Sequence, residues 1–184
     1  NFKREIHINP ILAKERRADG VRYPALEWRL PLCFAMDFNV QPSTGTIFQK
    51  IQTSSGPLYR GVDEIFLNRG NNRELAEEFI KMFPHHGAEV WLFGDTMGTH
   101  RSAQTGQSDY AIVMKVLQEK LNYPVRLRVP KASPLVVDRI NVVNQTLIGP
   151  GGQVRFELAP HMIETIKDFE SVLRASSGAG IEKY

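Results

Sequence analysis

The 184-residue sequence predicts an α/β domain built on one sheet of mixed direction, and three observations carry that prediction. Three strand-like runs follow one another closely, at residues 32–38, 45–52 and 59–67, with turn residues at 42–43 and 54–57 between them. They read as an antiparallel meander. Helix-like and strand-like segments then alternate, which is the pattern of crossovers in a partly parallel sheet. Finally, "EVWLF" at 89–93 is short and continuously apolar, as a central strand covered on both faces would be.

Each element has its own local reason. Residues 1–31 mix the charge run Lys14, Glu15, Arg16 and Arg17 with Gly20, Pro24 and Pro31 and lack a sustained period. They are expected to be a lead-in segment with one short strand near 3–8, ahead of a domain at 32–184. A helix is expected at 71–83, where Leu75, Phe79, Ile80 and Phe83 share a face. The polar stretch "TMGTHRSAQTGQ" after Asp95 is too long for a simple connector and is therefore a functional suspect. Ser108 and Asp109 can cap a helix running to about Leu121, with Tyr110, Val113, Met114, Leu117 and Leu121 on one face. Beyond it come a strand at 125–129, a helix at 134–147 closed by "GPGG", a strand at 154–158, a helix at 161–173 and a tail, "RASSGAG", expected to be mobile. There is no internal repeat.

Composition narrows the function classes. Hydrophobic residues make up 42% and charged residues 23%, ordinary values for a soluble globular protein. No apolar run approaches the ~18 residues of a membrane span, and no secretory signal pattern opens the chain. The single cysteine, Cys33, cannot form an internal disulfide, which fits a reducing compartment. A net charge of +3 and a pI near 9.1 are compatible with a polyanionic partner. The chain begins with Asn rather than Met, so a piece of a longer protein is expected.

The stretch "CFAMDFNVQP" places a charge, Asp37, between residues suited to a buried strand. A carboxylate there is costly unless it is paired, hydrogen-bonded or holding a cation. A crossover out of the meander lets the fourth strand run parallel beside the first, which would make Asp95 the neighbour of Asp37. Two adjacent carboxylates repel, and one tends to keep a proton unless a cation neutralises them. Oxygen donors without His or Cys partners suit Mg²⁺ or Mn²⁺. Two such ions ~3.5–4 Å apart activate water and stabilise the leaving oxygen in phosphodiester hydrolysis. The bland alternative is an Asp that ends a strand and caps the next turn.

Other residues carry two readings each. Arg101 could grip a phosphate with its planar guanidinium, or be a solvated loop residue. Arg126, Arg128 and Lys131 alternate along a strand and its exit, either to follow a DNA backbone or to keep a sheet edge soluble. One of Asp63 and Glu64 is expected to face the sheet surface and support the acidic pair. Arg139, Asn141 and Asn144 lie mid-helix, where Asn is a poor former, and would cap a neighbouring loop or touch DNA. His85, His86 and His100 lack ligand-like spacing and read as surface residues.

The order of elements resembles the ribonuclease H-like fold, and three blocks make the likeness narrower. "PLCFAMDFNVQPSTGTIFQ" resembles the first nuclease motif of the large terminase subunits of tailed bacteriophages. "VWLFGDTMGTHRSAQTGQSDYAIV" is similar to their second acidic motif, and "VVDRINVVNQTLIGPGGQVRFELAPHMIETIKDFESV" to their late helix, strand and closing helix. The resemblance covers roughly residues 31–173. It implies a metal-dependent endonuclease that cuts concatemeric double-stranded viral DNA during packaging, with Asp37 and Asp95 as ligands of two Mg²⁺ or Mn²⁺ ions. It also implies an ATPase motor domain, a small terminase subunit and a portal as partners, with action at the procapsid in the host cytoplasm. The family's third acidic ligand is expected beyond Tyr184, Asp168 being the internal substitute. No G-x-x-x-x-G-K-[ST] phosphate loop is present, so the resemblance is to the nuclease portion only.

Rival classes are a phosphate-binding ATPase of the actin and sugar-kinase type, a non-catalytic portal-docking module, and a resolvase or transposase of the same fold. The first needs two duplicated lobes, for which the chain is too short. Fold alone does not choose between the others.

Overall fold

The structure, a computed structural model, describes residues 1–17, 20–22, 26–38, 41–100, 106–174 and 181–183. In chain order come α1 (Arg4–His7), a 3-10 turn (Pro10–Leu12), β1 (Glu15–Arg17), β2 (Gly20–Arg22), β3 (Leu32–Asp37), β4 (Ser43–Thr53) and β5 (Gly56–Leu67). Then follow α2 (Asn72–Met82), β6 (Val90–Gly94), a second 3-10 turn (Thr96–Thr99), α3 (Asp109–Lys120) and β7 (Val125–Leu127). The last are α4 (Val136–Leu147), β8 (Phe156–Leu158), α5 (Ile163–Ser171), β9 (Val172–Arg174) and β10 (Ile181–Lys183). Six strands form one sheet in the order β7-β6-β3-β4-β5-β8. β3 is antiparallel to β4 but parallel to β6, which is in turn parallel to β7, and β5 is parallel to β8. This is a mixed, ribonuclease H-like sheet, with the meander β3-β4-β5 where the sequence predicts it.

The chain divides into two compact units, one of residues Glu27–Gln49 and Glu64–Ser133, the other of Asn1–Leu26, Lys50–Asp63 and Pro134–Tyr184. In the first, Leu32, Phe34 and Met36 alternate into the core from β3, with Val90 and Leu92 from β6. Phe79 of α2 stacks on Phe34 with ring centres 4.6 Å apart. α2 starts on a capping box, in which Asn71 accepts from the Glu74 backbone and Glu74 returns to the Asn71 amide. The opposite faces of β3 and β6 are only half-buried, so "EVWLF" is not covered equally on both sides as expected. Trp91 explains why: its indole donates to Glu89 at 2.8 Å and its ring lies under Arg128, an amphipathic arrangement that needs solvent nearby.

In the second unit the expected strand near 3–8 is a helical turn. Backbone bonds from His7 to Lys3 and from Ile8 to Arg4 close it, and only Ile8 bridges to Leu158 in strand fashion. The turn aims His7 inward, where its Nε2–H donates to the Leu147 carbonyl at 3.0 Å and Nδ1 accepts from the Lys3 amide at 2.9 Å. Phe2 stacks on His7 and on Phe169, which holds the first residues against α5. Arg60 pairs with Glu157 across β5 and β8, and Glu157 also accepts from Asn9 at 2.8 Å. The closing helix ends at Ser171, two residues short of expectation, because 172–174 pair with 181–183 as an antiparallel ribbon. The tail residues 175–180 lie outside the described residues.

His86 is a correction to the sequence reading, because it is buried rather than on the surface. It sits between Trp28 (6.2 Å) and Tyr123 (5.7 Å, edge-on) in the first unit, beside an open cleft of about 440 Å³ lined by Pro84, His85, Lys120 and Asn122. Neither ring nitrogen makes a well-formed hydrogen bond with any group among the described residues. Burial therefore pushes its pKa down to about 4, with the Leu30 carbonyl only partly opposing the shift. In the unfolded chain the ring titrates near its ordinary 6.5, so between these values the unfolded state binds more protons. The stability due to this residue is complete above about pH 6.5 and is lost as pH falls towards 4, by on the order of 3 kcal/mol at most. Melting temperature against pH should slope downward through this window in the wild type, and less steeply in His86→Phe. Equal slopes would show that other groups set the acid limit.

Candidate active site at the carboxyl ends of two parallel strands

The register of β3 and β6 builds the site. Met36 lies opposite Gly94 in the parallel pair, and the next residue on each strand is an aspartate, Asp37 and Asp95. Adjacent strands run about 4.8 Å apart, so both carboxylates leave the same end of the sheet from neighbouring positions. Both residues are exposed. That corrects one premise: β3 stops at Asp37, so its charge sits at the strand's mouth and is not buried within an apolar run. No desolvation penalty has to be offset there. The carboxyl end of parallel strands is also where ligands of open α/β sheets bind.

Gly94 makes the turn into Asp95 feasible. Its φ is +153°, and an added Cβ would lie 2.4 Å from both the Met36 carbonyl oxygen and the Tyr110 hydroxyl. Asp95 then caps the second 3-10 turn, its Oδ1 accepting from the Met97 amide at 3.0 Å and from the Thr96 hydroxyl at 3.2 Å. Thr96 is held in turn against Ser133 at 2.9 Å. The capping role is thus real and also fixes the carboxylate's direction.

Tyr110, at the start of α3, is buried behind this pair. Its hydroxyl donates to the Asp95 backbone carbonyl at 3.0 Å, and its ring meets Phe38 edge-on at 4.8 Å. Burial first, then the charges of Asp95, Asp109 and Asp37, push the phenol up to about 12. Directly before Tyr110 stands Asp109, which the sequence reads as a helix cap. The Asn72 amide donates to it at 2.7 Å.

The other candidates are dispersed. Asp63 is buried in the second unit, paired with Lys14 at 2.5 Å and facing His161 at 3.6 Å, which is an internal ion pair. Glu64 is half-buried on β5. Asp168 is exposed on α5, and Arg139 is exposed on α4. Arg101 lies outside the described residues. β7 is the sheet's edge strand, and there Arg126 binds Glu89 through Nε (2.9 Å) and Nη2 (2.7 Å), while Arg128 stacks on Trp91 at 5.0 Å. Arg126 holds the Glu89 carboxyl below its ordinary range. Lys131 is exposed just past that strand. Among the described residues no group of three or more His, Cys, Asp or Glu is arranged to hold a metal ion.

Neither a family model nor a curated protein matches this chain. Solved structures do. The P22 large terminase nuclease domain superposes with a TM-score of 0.56 at 12% identity, over 86% of this chain and 76% of that one. The large terminase nuclease of thermophilic phage G20c gives 0.52 at 16% identity, over 98% and 86%. The fold is that of the large-terminase nuclease domains. A second structure of the G20c nuclease, with bound magnesium, gives 0.50 at 17% identity over 98% and 85%. In this chain the two aspartates lie at the ends of the adjacent parallel strands β3 and β6. Among the described residues no helix is long and apolar enough to cross a membrane.

Proposed function

We propose that residues 32–184, preceded by the lead-in 1–31, form a metal-dependent endonuclease that cuts concatemeric double-stranded viral DNA during genome packaging. The observation that carries this reading is the parallel register that sets Asp37 and Asp95 side by side at one sheet end. The donor set fits a hard divalent cation, because it is all oxygen, solvent-accessible and free of His or Cys. One or two carboxylates completed by water and substrate phosphate are the usual protein contribution to Mg²⁺ binding. When bound, two Mg²⁺ or Mn²⁺ ions would supply an activated water and neutralise charge on the departing 3′ oxygen. The chain's part is to hold both carboxylates on rigid strands and to aim the Asp95 oxygens through the Met97 and Thr96 bonds. Lys131, Arg128, Arg139 and Arg101 are proposed to meet DNA phosphates, and Glu64 to support the acidic pair. Within a full packaging complex the partners would be an ATPase motor domain, a small terminase subunit and the portal, with host cytoplasm as the place of action.

The test is direct. Purified protein should nick or cut plasmid DNA of any sequence with Mg²⁺ or Mn²⁺, bind it less tightly as salt rises, and stop in excess chelator. Cleavage that persists in chelator would rule out the metal mechanism. Intact plasmid under all metal conditions would favour a docking role.

A further inference from the structure

We infer that Tyr110 is the positioning residue that locks the ends of β3 and β6 together, so that Asp37 and Asp95 keep the spacing a shared cation requires. The inference rests on the nuclease reading. Two contacts converge on this one side chain. Its hydroxyl donates to the Asp95 carbonyl at 3.0 Å, the same oxygen that receives the Gly98 amide at 3.3 Å. Its ring stands edge-on to Phe38, the residue directly after Asp37. Two glycines leave room for it. A Cβ on Gly94 would meet the hydroxyl at 2.4 Å, and one on Gly98 would meet Phe38 at 2.7 Å and the Tyr110 ring at 2.9 Å.

The chemistry follows from that geometry. A phenol donating to a backbone carbonyl fixes the peptide plane at the strand end, and with it the direction in which the Asp95 side chain leaves. The ring does the same for the β3 end by packing, without a polar bond. A helix that begins after the long polar loop thereby ties together two strands that end in open solvent. Phenylalanine would keep the packing and remove only the donor, which separates the two contributions.

The experiment measures Mn²⁺ affinity by calorimetry on the wild type, Tyr110→Phe and Val113→Ala. Val113 is buried one turn further along α3, so its truncation tests whether loosening the same helix is enough to produce the effect. Loss of a residue that orients a metal ligand commonly costs 10–100-fold in affinity. Tyr110→Phe should therefore bind Mn²⁺ about tenfold more weakly, while Val113→Ala lowers the melting temperature and leaves affinity unchanged. Equal affinities in all three proteins, or equal losses in both variants, would overturn the inference. Hydrogen exchange of the Gly98 amide, followed on the same proteins without metal, is the independent arm. It should speed up in Tyr110→Phe well beyond Val113→Ala. If the wild type binds no Mn²⁺, or Asp37→Asn binds it as well, the nuclease reading falls and exchange alone decides. Equal exchange in the two variants then overturns the positioning role too.

Discussion

Asp37→Asn should lower DNA cleavage by a factor of about 10³ or more while the protein stays folded, because charge neutralisation and positioning by bound cations supply most of the rate in such sites. The substitution keeps the side chain's size and removes the charge. Asp37 is exposed at the end of β3, so stability should change by no more than about 0.5 kcal/mol. Relief of repulsion with Asp95 could even raise it. Asp95→Asn should match it in activity, and the double variant should be hardly worse than either single, since residues acting as one unit are not additive. Asp168→Asn, on the exposed face of α5, should cost little. The assay is plasmid cleavage under single-turnover conditions beside thermal melting. A variant at Asp37 that unfolds, yet whose folded remainder cuts at the wild-type rate, would make the residue structural and end the proposal.

Lys14→Met should have the largest effect on stability, about 2–4 kcal/mol. Asp63 is almost fully buried, and Lys14 reaches it from a position still partly in contact with water. Removing one partner of a buried pair takes away much of what balances the other's charge, whereas removing both removes the charge itself. Lys14→Met combined with Asp63→Leu should therefore recover most of the loss. His161, 3.6 Å from Asp63, stays beside it in the single variant. Urea titrations of the wild type, the single variant and the double variant measure the loss and the recovery. A loss that is the same size in the double variant would assign it to packing by the lysine stem rather than to charge.

The parts of the fold that local pattern could reveal were legible. Leu32, Phe34 and Met36 alternate strictly, so β3 could be read from its own residues. Asn71, Glu74, Leu75 and Phe79 wrote both the start and the buried face of α2. Each of the two aspartates could be singled out for the same reason, since one ends an apolar strand and the other follows one. Burial that depends on distant partners was not legible. Pro84-His85-His86-Gly87 reads as a solvated turn, and only Trp28 and Tyr123 enclose the second histidine. The pairing of Lys14 with Asp63 joins a charge run to a strand with nothing periodic to announce it.

The parallel pairing of β3 with β6 also bears on how the molecule acquires its chemistry. β4, β5 and α2 lie between those strands in sequence, so their contact closes a long loop. Local pieces such as the β4-β5 hairpin and α2 can form quickly, but long-range parallel pairing is an intrinsically slow event. Until it happens, Asp37 and Asp95 belong to separate pieces of structure and no site exists. A chain leaving the ribosome, or one stalled as a partly folded intermediate, therefore carries neither carboxylate in a position to hold a cation. The destructive activity proposed for this protein would switch on only with completion of the sheet, and misfolded copies in a DNA-filled cell would be harmless.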